Sequence, residues 1–188
     1  PNIKIDTLPG NKLVYYVKKN YEKNAETIIE LVYKVGSLME DSTKRAYSFF
    51  TANYVAKYYA SVISNKLNGK INPKIDVESK PDYTRFIFSV VTTEMDRNTA
   101  IADFLKVLSD SISFNSQLLD ANRADFITQY NQTQLDELQY RGGKQLKIKY
   151  LNTISAAKLK QFYKDWYRPD LMSVMVVGDI DIQQTQKS

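Results

Sequence analysis

Between residues 43 and 63 the apolar side chains Ala46, Phe50, Tyr54, Tyr58 and Val62 recur every four residues, with Val55 and Tyr59 beside them. That spacing keeps one broad helix face apolar, and Asp41 or Ser42 stands where an N-cap is needed. The flanking runs have a different rhythm. Residues 13–17 and 27–35 are dense in β-branched and aromatic side chains and are predicted strands, the second ended by Gly36-Ser37. Residues 75–79 alternate like a half-buried strand, and 83–91 form a stronger one, joined through a hairpin turn at Lys80-Pro81-Asp82. Ile101, Phe104, Leu105, Leu108 and Ile112 mark a second helix. Leu118, Leu119, Phe126, Ile127 and Tyr130 mark a third, which runs into a polar stretch and breaks at Arg141-Gly142-Gly143-Lys144. Ser155 caps a fourth, with Leu159, Phe162, Tyr163 and Trp166 on one face before Pro169. Residues 172–177 are a closing strand before Gly178-Asp179.

Strand pairs followed by grouped helices predict an α+β layer: a mostly antiparallel sheet covered by helices on one face. The 188 residues suit one domain, and no repeat or low-complexity segment divides them. The chain opens in mid-strand at residues 1–6, which reads as a fragment of a longer chain.

Composition narrows the function. With 43% apolar and 25% charged residues the chain has the balance of a globular protein, and no apolar run reaches the ~18–20 residues of a membrane span. No signal-peptide pattern stands at the N-terminus. The net charge of +5 is spread over scattered pairs such as Lys18-Lys19 and Lys44-Arg45, unlike a run that tracks a phosphate backbone, so no nucleic-acid partner is expected. The absence of cysteine excludes disulfides, thiolate nucleophiles and cysteine-based metal sites. The absence of histidine says more. It removes the commonest general base, the commonest metal ligand and every Ser-His-Asp or Cys-His arrangement. Adjacent carboxylates remain at Glu40-Asp41 and Asp136-Glu137, but helix neighbours point in different directions, so they read as caps or surface charge. The Arg141–Lys144 turn lacks the spacing of a phosphate loop.

Two stretches carry a family resemblance. Leu31-Val32-Tyr33-Lys34-Val35-Gly36-Ser37, with Glu40 behind it, resembles the strand and turn that lead into the active-site helix of the insulinase/pitrilysin metallopeptidases. The segment from Leu159 through Phe162-Tyr163, Trp166-Tyr167 and Pro169 to Met172 and Gly178-Asp179 resembles that family's "L..FY..WY.P..M.....GD" pattern. The likeness covers roughly residues 13–181. It implies the first domain of a family half-molecule, with the processing-peptidase-like fold, here spanning residues 1–188.

Such peptidases carry H-x-x-E-H on a helix, because histidines at i and i+4 share one face and one zinc ion while the glutamate activates the metal-bound water. Counting from Gly36-Ser37 puts the motif on Phe49-Phe50-Thr51-Ala52-Asn53. The ligand positions are then Phe49 and Asn53, and the base position is Ala52. The distal ligand position is Gln129, six residues after Arg123 and separated from Asn53 by 75 residues. Phenylalanine cannot bind zinc, alanine cannot take a proton, and the two amides are neutral, weak ligands. A slip of one residue changes nothing, since residues 46–60 contain no His, Glu or Asp.

The resemblance therefore implies a catalytically inactive homologue with no cofactor. It would serve as the non-catalytic partner of an active insulinase-family subunit or of its own second half, and help bind extended peptides. The strand at Asp76, Val77, Glu78 and Ser79 stands where the family offers a sheet edge, and a free edge pairs with peptide whether or not a metal is present. Asp76 and Glu78 would give one face of that edge a negative character, favouring basic or neutral peptides. The rival readings are a structural interaction domain without peptide binding, and an active zinc peptidase whose motif lies elsewhere. The Lys- and Asn-rich composition points to a bacterial homologue of an exported, periplasmic kind.

Overall fold

Thr27, Ile29, Leu31 and Tyr33 are buried while the residues between them are half-buried, and this alternation makes β3 (Thr27–Tyr33) a strand at the centre of a sheet. The protein is known here from a computed structural model, which describes residues 3–7, 14–19, 26–67, 71, 73–91, 97–141 and 148–187. β5 (Thr84–Val90) repeats the pattern and pairs antiparallel with β3, from Thr27–Val90 to Tyr33–Thr84. On the other side of β3 lies β6 (Met172–Gly178), also antiparallel. β2 (Val14–Lys19) is parallel to β6, β1 (Ile3–Thr7) antiparallel to β2, and β4 (Lys74–Ser79) antiparallel to β5. The order is β1-β2-β6-β3-β5-β4, which leaves β1 and β4 at the edges. The α+β class and the mostly antiparallel sheet agree with the sequence reading. The parallel β2–β6 pair arises because β6 returns after the helices and inserts between β2 and β3.

Register explains which face is covered. Val17, Val176, Ile29 and Phe88 lie in one row across four strands, and all are buried. Tyr16, Met175, Glu30 and Ile87 form the next row, facing the other way, and none is fully buried. The helices α1 (Tyr47–Lys66), α2 (Arg97–Ser109), α3 (Ser116–Arg141) and α5 (Ala156–Trp166) supply the buried side chains that meet the first face. Aromatic edges join them to it: Tyr59 meets Phe86 and Phe88 with ring centroids 6.2 and 5.6 Å apart, and Phe88 meets Phe104 at 5.5 Å. Two of the buried tyrosines are hydrogen-bonded across the core. The Tyr59 hydroxyl donates to the Leu108 carbonyl, and that of Tyr167 to Thr84 Oγ1, which donates to the Val35 carbonyl. Burial pushes the Tyr59 and Tyr167 hydroxyls far above their ordinary range and that of Tyr163 up to about 12, so all three stay protonated.

Several elements differ from the sequence reading. The first helix begins at Tyr47 rather than near Thr43, because Ala46 takes a left-handed conformation (φ 68°) that breaks helical continuity there. Two short helices, α4 (Ile148–Leu151) and α6 (Ile182–Lys187), lack the length for a periodic signal. The mid-strand opening resolves into β1. The expected break at Gly142-Gly143-Lys144 lies outside the described residues. One glycine has a clear packing reason: a Cβ on Gly36 would sit 2.0 Å from the Lys80 carbonyl oxygen, so the chain leaving β3 can press on the β4–β5 turn only without a side chain.

Candidate functional site

The site begins at the turn that delivers α1. Neither Asp41 nor Ser42 caps the helix. Asp41 closes a local turn, accepting from the backbone and hydroxyl of Thr43. The cap is Glu40, whose carboxylate accepts the backbone N–H groups of Ala46 and Ser48, each at 2.8 Å, and the Ser48 hydroxyl at 2.5 Å. A carboxylate at a helix start satisfies orphan amides and complements the dipole. Burial nevertheless holds its acidity below that of a free glutamate, raising its pKa against the hydrogen bonds that lower it.

Two turns of α1 then present Phe49, Ala52 and Asn53. Phe49 is half-buried, edge-on to Tyr130 of α3 at 5.4 Å and to Phe50 at 6.4 Å. Phe50 is fully buried against Phe126. Ala52 has no exposed surface. The Asn53 side-chain amide is nearly buried and donates to the Phe49 carbonyl at 2.9 Å, inside its own helix. Gln129 is exposed and turns its amide to Asp125, which also lies 3.8 Å from Lys57 Nζ. The α3 side chain in contact with Phe49 is thus Tyr130, one residue beyond Gln129. A zinc ion does not fit these residues: an aromatic edge, a methyl group and two amides engaged within their own helices offer no anionic or imidazole ligand. Among the described residues no three carboxylates converge into an alternative set.

β4 lies next to this helix at the end of the sheet. Lys80 N–H donates to the Tyr83 carbonyl at 2.8 Å, which makes 80–83 a bonded pair of the hairpin. Antiparallel ladders alternate, so 78–85, 76–87 and 74–89 are bonded pairs as well, and the N–H and C=O groups of Ile75, Val77 and Ser79 point away from β5. The β3 side gives the same answer. Lys34 N–H donates to the Leu171 carbonyl, which continues the β3–β6 ladder and assigns the even β3 residues to β6 and the odd ones to β5. Among the described residues no backbone group answers the outward row of β4.

The side chains of β4 correct one expectation. Asp76 and Glu78 do face opposite to Ile75 and Val77, but their face is not negative. Asp76 pairs with Lys74 at 2.8 Å. Glu78 lies 2.9 Å from Arg85 and 3.5 Å from Lys80, and Arg85 also reaches Glu30 at 3.7 Å. Three cations offset three carboxylates. Burial alone would raise the Glu78 carboxyl, but hydrogen bonding from Tyr83 and the Arg85 charge outweigh it and hold it below the usual value. The missed partner was Arg85, and its signal was in the sequence. Once the hairpin turn is placed, 78 and 85 fall directly opposite each other.

Comparison with known proteins bears on this geometry. A family model described as "Peptidase M16 inactive domain" matches residues 153–188, the stretch of α5 and β6. The chain is 29% identical over 211 residues to the "Probable zinc protease PqqL" of Haemophilus influenzae, matching all of this chain and 22% of that protein. Its fold is similar to the first half of the periplasmic protease PqqL from Escherichia coli (TM-score 0.71, 18% identity, 98% of this chain and 44% of that one). It is also similar to a peptidase M16 inactive domain from Pseudomonas fluorescens (TM-score 0.76, 14% identity, 100% and 49%). The chain thus spans under a quarter of the length of its curated relative and about half of these solved chains. The closing-segment match, the whole-chain likeness to a zinc protease and the shared fold converge: this chain is similar to the insulinase-type M16 peptidases.

Proposed function

We propose that this chain is a non-catalytic M16 module that holds extended peptides by adding them as a strand to β4, beside a catalytic subunit or its own second half. The observation that carries the reading is the outward row of N–H and C=O groups on Ile75, Val77 and Ser79. Backbone groups left unpaired at an edge favour strand addition and need no metal. The non-catalytic part rests on Phe49, Ala52, Asn53 and Gln129, which supply neither zinc ligands nor a base. A periplasmic, exported setting follows the relative from Escherichia coli, and no described helix is long and apolar enough to cross a membrane.

The test is peptide titration of the parent and of Val77→Pro, with folding checked by circular dichroism. Proline at 77 removes an outward donor and leaves the β4–β5 ladder intact, so binding should fall in a folded protein. Equal affinity in the folded variant would remove the edge from the reading. A purely structural role would then remain, and the sheet face with the half-buried Tyr16, Met175 and Ile87, which no helix covers among the described residues, is the observation that favours it.

A further inference from the structure

The balanced charges and the side-chain directions of β4 fix more than the presence of an edge. Resting on the strand-addition reading, we infer that the site selects peptides with apolar side chains at two alternate positions, and is indifferent to charge at the position between them.

Ile75 and Val77 belong to the helix-covered face. They stand directly opposite Phe88 and Phe86, which are fully buried, yet remain half-buried themselves, because among the described residues no strand lies beyond them. A peptide residue paired with Ile75 or Val77 points to the same face as its partner, in either strand direction, since side chains alternate with period two. Two such residues, separated by one, would cover the open flanks of Ile75 and Val77. Burying an aliphatic side chain in this way is worth enough to shift affinity by roughly tenfold each.

The intervening peptide residue faces the other way, beside Asp76. There Lys74–Asp76 and the Glu30–Arg85–Glu78–Lys80 chain already pair each charge with its opposite. An incoming lysine or glutamate meets no net field, and gains only what an exposed ion pair gives. Selection therefore resides in apolar pattern and backbone pairing.

The experiment uses a short host peptide, acetylated and amidated, with valine at two alternate positions and threonine between them. In the companion peptides both valines become asparagine, or the threonine becomes lysine or glutamate. For the parent, the asparagine peptide should bind at least tenfold more weakly. The lysine and glutamate peptides should stay within about threefold of the host, and so should the host when salt rises from roughly 0.05 to 0.5 M. Val77→Thr, which keeps the backbone and shape but adds a hydroxyl, should narrow the gap between valine and asparagine peptides. If the host binds and Val77→Pro abolishes binding, yet valine and asparagine peptides bind alike or the lysine and glutamate peptides differ tenfold, the selectivity is wrong and the edge stands. If no peptide binds, or Val77→Pro binds as the parent does, the edge reading itself falls and takes the selectivity with it.

Discussion

Ala46 holds a conformation that most residues avoid. Its φ of 68° lies in the left-handed region, where a Cβ crowds the following carbonyl, and the Glu40 carboxylate holds the turn by accepting from Ala46 and Ser48. Substituting valine adds β-branching to a position that is already strained and buried, so Ala46→Val should cost about 2 kcal/mol or more in chemical denaturation. Ala46→Gly should stay within about 1 kcal/mol of the parent, because relief of the Cβ clash is offset by the lost methyl burial and the freer unfolded chain. Equal losses for glycine and valine would mean that the left-handed turn is wrong. Glu40 adds a pH dependence with a definite sign. Its folded pKa is raised above the ordinary value of 4.5, so the folded state favours its proton, and its contribution to stability is lost as pH rises through the folded value. The advantage of the parent over Glu40→Gln, measured by urea denaturation, should therefore shrink from about pH 4 upward. A widening gap would show that the hydrogen bonds to the ionised carboxylate outweigh its burial.

At the level of elements, the β4–β5 hairpin makes a contrast between neighbouring positions. The Val77 N–H points outward and the Glu78 N–H lies within the bonded 78–85 pair. Val77→Pro should cost little stability, whereas Glu78→Pro removes a ladder bond and should cost roughly 3 kcal/mol. Thermal or denaturant unfolding of the two variants reads the difference directly. Reversal of the order would shift the register by one residue and move every β4 side chain to the other face. The α1–α3 contact is the second element of interest. Phe49 and Phe50 of α1 meet Tyr130 and Phe126 of α3 through edge-to-face and tilted rings, so the two helices are held together by aromatic contact.

For the whole molecule, the absence of zinc ligands at these positions predicts metal-independent folding. Chelator should leave the melting temperature unchanged, and elemental analysis of the purified protein should find no stoichiometric zinc. Close to one zinc per chain, with a melting point lowered by chelator, would place a metal site elsewhere in the chain. Phe49→His, Ala52→Glu, Asn53→His and Gln129→Glu together should produce a weak site. Ala52 is fully buried, so an unpaired glutamate there should destabilise the metal-free variant, and added zinc should raise its melting temperature. A folded quadruple variant indifferent to zinc would mean that the four positions do not converge. Useful turnover is not expected, since Tyr130, Lys57 and Asp125 surround the positions with groups built for other contacts.

The sequence by itself determined the strands and helices long enough to show their period. β3 and β5 announce themselves by alternation, α1 by apolar residues every fourth position, and α5 by Ser155 and Pro169 at its ends. It also determined the chemistry that is excluded, because a missing residue type needs no fold to be missing. Tertiary structure alone decided which strand lies at an edge, since β6 comes last in the chain yet sits between β2 and β3, and no local pattern encodes that insertion. It decided as well that Glu30 joins Arg85 and Glu78 in one chain of charges, because β3 and β4 flank β5 on opposite sides. Glu40 was legible as a cap or a surface charge, but its partners Ala46 and Ser48 were not, because its bonds span a left-handed turn that periodicity cannot see. The common reason is range. Period and composition are properties of neighbours along the chain, whereas edges, charge balance and caps across irregular turns depend on groups that meet only after the chain has closed on itself.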